Sequence, residues 1–83
     1  MPVFMVERYL PDLTPEGVRA QVQREQELVG LRHLRTTYLP GDDLCFSLFE
    51  APSLASVRRA NDRTGMAYER ITEAFDVTAD EAG

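Results

Sequence analysis

Residues 2–10, PVFMVERYL, alternate sides with period two, as a strand requires. Phe4, Val6 and Leu10 fall on one face and Val3, Met5, Glu7 and Tyr9 on the other. Both faces carry apolar groups, so the pattern predicts a strand covered on both sides, by helices on one and a partner subunit on the other. The period then changes. Val18, Val22 and Val29, with Leu28, form a narrow apolar stripe opposite Arg19, Gln21, Gln23, Arg24, Gln26 and Glu27, which predicts a helix over 15–29. Thr14 is placed as its N-cap, Pro15 at its first position and Gly30 at its left-handed end, with Leu13 and Val18 spaced as a hydrophobic staple.

From Leu31 to Pro52 the chain reads as two strands joined at Pro40-Gly41-Asp42-Asp43. With Gly41 and Asp42 as the central turn residues, Leu39 faces Leu44, Tyr38 faces Cys45 and His33 faces Glu50. Ser53 caps a second helix over 54–64, with Leu54, Val57 and Ala60 inward, Arg58, Arg59, Asp62 and Arg63 outward, and Gly65 as its stop. A fourth strand is expected over 70–77, with Ile71, Phe75 and Val77 on one face, and the acidic end, residues 78–83, is expected to fray.

The order β-α-β-β-α-β is that of a ferredoxin-like α+β domain spanning residues 1–83. Right-handed crossovers give a four-stranded antiparallel sheet in the order 4-1-3-2 with two helices on one face. The opposite face is bare within one chain. A symmetric dimer packed sheet to sheet is its simplest cover.

Composition narrows the function. At 83 residues the chain forms one small core. A net charge of -5 argues against an extended nucleic-acid surface, which would be basic. No apolar run approaches the roughly 20 residues of a membrane span. The opening segment lacks the basic-then-apolar order of a signal peptide, and a lone cysteine fits a reducing compartment, so a cytoplasmic location is expected.

Three groups carry candidate chemistry. His33 and Glu50 would sit about 5 Å apart at Cβ in the hairpin register above, half of a site suited to nickel, zinc or cobalt; the alternative is a carboxylate that orients the imidazole. Cys45 is a soft ligand if exposed and a small core residue if buried. Glu7, inside an apolar strand, needs a partner or solvent. Because the third strand runs antiparallel to the first, Glu7 falls near Cys45, about 17 Å from Glu50. His33, Glu50 and Glu7 therefore imply two sites, or one completed across a dimer. Asp12, Asp42 and Asp43 read as turn residues, and Arg58, Arg59 and Arg63 as a wet helix face or a strip for an acidic partner. No G-x-S-x-G motif, phosphate-cradling glycine loop or CxxC is present.

The segments MPVFMVERYLPDLTPE, LRHLRTTYLPGDDLCFSLFEAPS and RANDRTGMAYERITE together resemble a family of small bacterial proteins, common in actinobacteria and known mainly as a domain of unknown function. One branch of it is nickel-binding. The resemblance, most specific at VERYLP and CFSLFEAP, implies a ferredoxin-like fold, a homodimer, and nickel held and sequestered rather than used in catalysis. The competing reading is a cofactor-independent enzyme or small-molecule binder of the dimeric α+β-barrel type, with His33, Tyr9 or Tyr38 lining a pocket and moving a proton.

Overall fold

The starts of the 3-10 turn and of the second long helix, and the stop of that helix, fall where capping residues and glycine place them. The computed structural model describes residues 1–82. Strand β1 (Val3–Tyr9) leads into a 3-10 turn (Pro15–Gly17) and helix α1 (Val18–Gln26). The hairpin β2 (Arg32–Leu39) and β3 (Leu44–Glu50) follows, then α2 (Leu54–Thr64), β4 (Arg70–Ala74) and a single turn α3 (Ala79–Ala82). Thr14 accepts a hydrogen bond from the Gly17 amide, and Ser53 and Ser56 form a reciprocal capping box at α2. Gly65 ends α2 at φ 70° and Gly30 turns the chain into β2 at φ 80°, both in the left-handed region that glycine enters without steric cost.

The strands form one antiparallel sheet in the order β2-β3-β1-β4, the order expected, read from the other edge. Arg8 on β1 bonds to side chains of both α1 and α2, so both helices lie on one face. Phe4, Val6 and Phe49 meet Leu28, Val57, Ala60 and Met66 there as the apolar core, with Leu31, Tyr68 and Ile71 at its margin.

Three expectations change. The helix over 15–29 is shorter, and it turns a different side inward. Gln21, Glu25 and Leu28 are the buried line, while Val29 is 78% exposed. β4 stops at Ala74 because its partner does: Ala74 pairs with Val3, the first residue of β1. Phe75 and Val77, expected on the strand's apolar face, lie beyond it and are exposed.

The third change concerns the hairpin. Its bend is a four-residue loop, with Asp42 N–H bonded to the Leu39 carbonyl and Asp43 in the left-handed region at φ 55°. The turn is thus centred on Pro40 and Gly41 rather than Gly41 and Asp42. The register near the loop is nonetheless the expected one, Leu39 with Leu44 and Tyr38 with Cys45. It fails further along, where a bulge between His33 and Arg35 inserts an extra residue in β2. Beyond that point His33 pairs with Phe49, and Arg32 with Glu50.

Candidate functional site

A one-residue bulge exchanges faces, because side chains alternate with period two. His33 therefore leaves the open face of the sheet for the helix face. Its ring packs edge-on against the core residue Phe49, with centroids 5.4 Å apart. Glu50 stays on the open face and pairs with Arg32 at 2.7 Å. The juxtaposition of His33 and Glu50 expected from the hairpin is thus absent: the two lie on opposite sides of one sheet. Glu7 is also on the open face, bonded to Arg70 at 3.0 Å. Among the described residues no three His, Cys, Asp or Glu side chains gather closely enough to hold a metal ion, and this includes Asp12, Asp42 and Asp43.

The helix face holds something the pattern did not reveal. Arg8, 1% exposed, extends between α1 and α2. Its Nε donates to Glu25 Oε2 at 3.1 Å, one terminal nitrogen to the Ala67 carbonyl at 3.0 Å and the other to Asn61 Oδ1 at 2.6 Å. The Asn61 amide nitrogen donates in turn to the Val57 carbonyl at 2.8 Å. Glu25 accepts at Oε1 from the Thr36 hydroxyl at 2.9 Å. Thr36 Oγ1 also lies 2.9 Å from Ser47 Oγ and 2.7 Å from His33 Nε2.

Proton counting fixes the directions in this chain. The Thr36 hydroxyl has one hydrogen, and it goes to the carboxylate. Thr36 then accepts from Ser47 and from His33, so His33 carries a proton on Nε2. In the neutral ring the lone pair is on Nδ1. Among the described residues no buried side-chain nitrogen or oxygen lacks a partner.

Cys45, wholly buried, lies on this same face. Burial raises its thiol pKa above the ordinary 9.0, the charge of Glu25 raises it further, and Arg8 opposes both. The sulfur is therefore a protonated core group, the structural alternative given above. Tyr38 is tied down too, its hydroxyl donating to the Leu13 carbonyl at 2.7 Å. The space between sheet and helices, where a dimeric α+β-barrel protein would keep its pocket, is occupied here by Arg8, Glu25 and their partners. Five surface clefts are lined by other residues, none of them His33, Tyr38 or Tyr9.

The open face is different in kind. Met5, Leu44, Phe46 and Leu48 are neighbours across β1 and β3, bordered by Val3, Leu39 and Tyr9. Ion pairs frame them: Glu7 with Arg70, Glu50 with Arg32, and Arg35 with Asp76 from the segment after β4. The residues missed from sequence were Arg8, Glu25 and Asn61. One signal was available: Arg8 shares its strand face with Phe4 and Val6 and so had to be buried.

The fold and its polar core define a ferredoxin-like α+β protein. The family model described as nickel responsive protein SCO4226-like matches residues 4–74, and the chain belongs to that family. Among solved structures, the crystal structure of SCO4226 from Streptomyces coelicolor A3(2) is similar at a TM-score of 0.75 and 18% identity, covering 92% of this chain and 99% of that one. No curated protein matches the chain.

Proposed function

We propose that this protein is a cytoplasmic homodimer that binds nickel as a buffer or sink, with no catalytic step. The observation that carries the reading is membership of a nickel-responsive family over residues 4–74. Two features of the molecule support it. The open face, with Met5 and Phe46 half-buried and Tyr9 and Leu39 exposed beside them, suits a second copy. The same face presents Glu7 and Glu50, so sheet-to-sheet pairing would bring carboxylates from two copies together. That is the way to gather the ligands one chain does not.

Freeing those carboxylates costs little. Their arginine partners, Arg70 and Arg32, are 72% and 74% exposed, and such pairs contribute about 0–1 kcal/mol. His33 would supply a separate position at the edge of the sheet. Its Nε2 proton is held by Thr36, which orients the ring and leaves the Nδ1 lone pair for a metal. Net charge favours cations as well, at -5 for 83 residues.

Calorimetric titration with nickel tests this, using wild type, Glu50→Gln and His33→Ala. Micromolar binding that loses stoichiometry in each variant supports the assignment. Full binding by His33→Ala removes His33 from the site, and no binding by wild type removes the nickel reading.

A further inference from the structure

The outer side of α2 carries charge that the fold does not use. Arg8, Arg32, Arg35 and Arg70 each meet a carboxylate, whereas Arg19 and Arg24 on α1 and the cluster Arg58, Arg59 and Arg63 on α2 are exposed and make no ion pair among the described residues. Arg59 and Arg63 stand four residues apart, the spacing at which like charges weaken a helix. Arg63 lies in the last turn, where a cation complements the helix end. Arg59, in the middle, has only Asp62, three residues on, as an opposite charge on its helix face, and makes no ion pair with it.

These two arginines line a groove of about 260 Å³ between α2 and the turn at Gly30. Its walls are apolar, made by Val29, Pro52 and Ala60. Its hydroxyls are already engaged: Ser56 donates to the Ser53 carbonyl, and Thr64 to the Ala60 and Asn61 carbonyls. The guanidinium groups are therefore the side-chain donors left for a ligand, and the neighbouring cleft adds Arg58 against one carboxylate, Asp62, so the local charge stays positive.

We propose that this groove binds a small organic monocarboxylate with a compact apolar body. The carboxylate takes charge-assisted hydrogen bonds from Arg59 and Arg63, and the hydrocarbon lies against Val29, Pro52 and Ala60. The volume falls below the roughly 300–1,000 Å³ of drug-sized sites, which limits the body to a single ring or a branched chain. The groove is on the helix layer, away from Glu7 and Glu50 on the open face, and His33 does not line it, so it stands independently of the nickel reading.

Amide spectra recorded during titration with phenylacetate, phenylacetamide, acetate and inorganic phosphate test the proposal. Phenylacetate should give saturable shifts at residues 29, 30 and 56–64, with a dissociation constant on the order of 1 mM for so small a ligand. The other three probes should bind at least about tenfold more weakly, since each lacks either the charge or the apolar body. The double variant Arg59→Gln, Arg63→Gln should lose the phenylacetate response while keeping its melting temperature and its response to nickel. Failure of phenylacetate to saturate overturns the proposal. Equal binding of acetate or phosphate reduces the site to a charged patch and overturns it too, as does a double variant that responds like wild type.

Discussion

The two faces of the sheet use the same kinds of residues to opposite ends. On the helix face, an Arg–Glu pair is buried and each guanidinium nitrogen has a partner: Arg8 serves Glu25, Asn61 and the Ala67 carbonyl. On the open face, three Arg–carboxylate pairs with exposed arginines surround the half-buried Met5 and Phe46, with Leu48 buried between them. Burial makes the first set a structural commitment. Coulomb attraction in a low dielectric offsets desolvation only while all partners are present. Exposure makes the second set cheap to rearrange. The closed face is where the chain fixes its own shape. The open face holds charges that can be rearranged at small cost.

Substitutions can break or sharpen this contrast. The largest effect belongs to Glu25→Ala, which leaves the Arg8 guanidinium buried without its counter-charge. Unfolding free energy in urea should fall by about 3–5 kcal/mol. A double variant that also replaces Arg8 with Met should recover a large part of that loss, since it removes the orphaned charge. A double variant that loses as much as Glu25→Ala and Arg8→Met do separately, added together, would show that the pair is no more than additive.

Thr36→Val should cost about 1–3 kcal/mol by the same measurement, because it strips a partner at once from Glu25 Oε1, Ser47 and His33. The side chain keeps its shape, so packing contributes little to the change.

Cys45 supplies a pH signature of the closed face. Its folded pKa is raised, so the folded state holds the thiol proton more tightly than the unfolded chain does. Stability from this group is complete below the unfolded value and is lost as pH rises through the folded one. Unfolding free energy should therefore decline above about pH 9 in wild type and decline less in Cys45→Ala. The same burial should make native Cys45 slow to alkylate until the protein unfolds.

The smallest effect lies on the open face. Arg32→Ala breaks an ion pair in solvent and should change stability by about 0–1 kcal/mol, with an effect that shrinks further as salt is added.

How much of this was written in the linear pattern depends on the residue. Ser53 and Gly65 announced the ends of α2 and Thr14 the start of the 3-10 turn, since capping and left-handed backbone are local requirements, whereas Gly30, read as the end of the first helix, lies beyond α1, which stops at Gln26. Strand order followed from the element order and crossover handedness. The inward side of α1 was misread because valines were assumed to face the core. The buried line through Gln21 and Glu25 becomes favourable only when Arg8, 17 residues earlier than Glu25, arrives to meet it. The bulge at Leu34 was invisible for a related reason. Its extra residue lets His33 reach Phe49 and Thr36, and tertiary contacts rather than turn chemistry select it. That single residue separates the imidazole from Glu50, so the part of the candidate site that depended on register was the part the pattern could not carry.

The most direct test of the contrast is the molar mass in solution of wild type and Phe46→Asp, measured by light scattering with melting curves on the same samples. The account predicts that wild type has twice the chain mass of 9.4 kDa. It predicts that Phe46→Asp has the single-chain mass and keeps its fold. A wild type that runs at 9.4 kDa at high concentration, or a Phe46→Asp variant that remains a dimer, would contradict it.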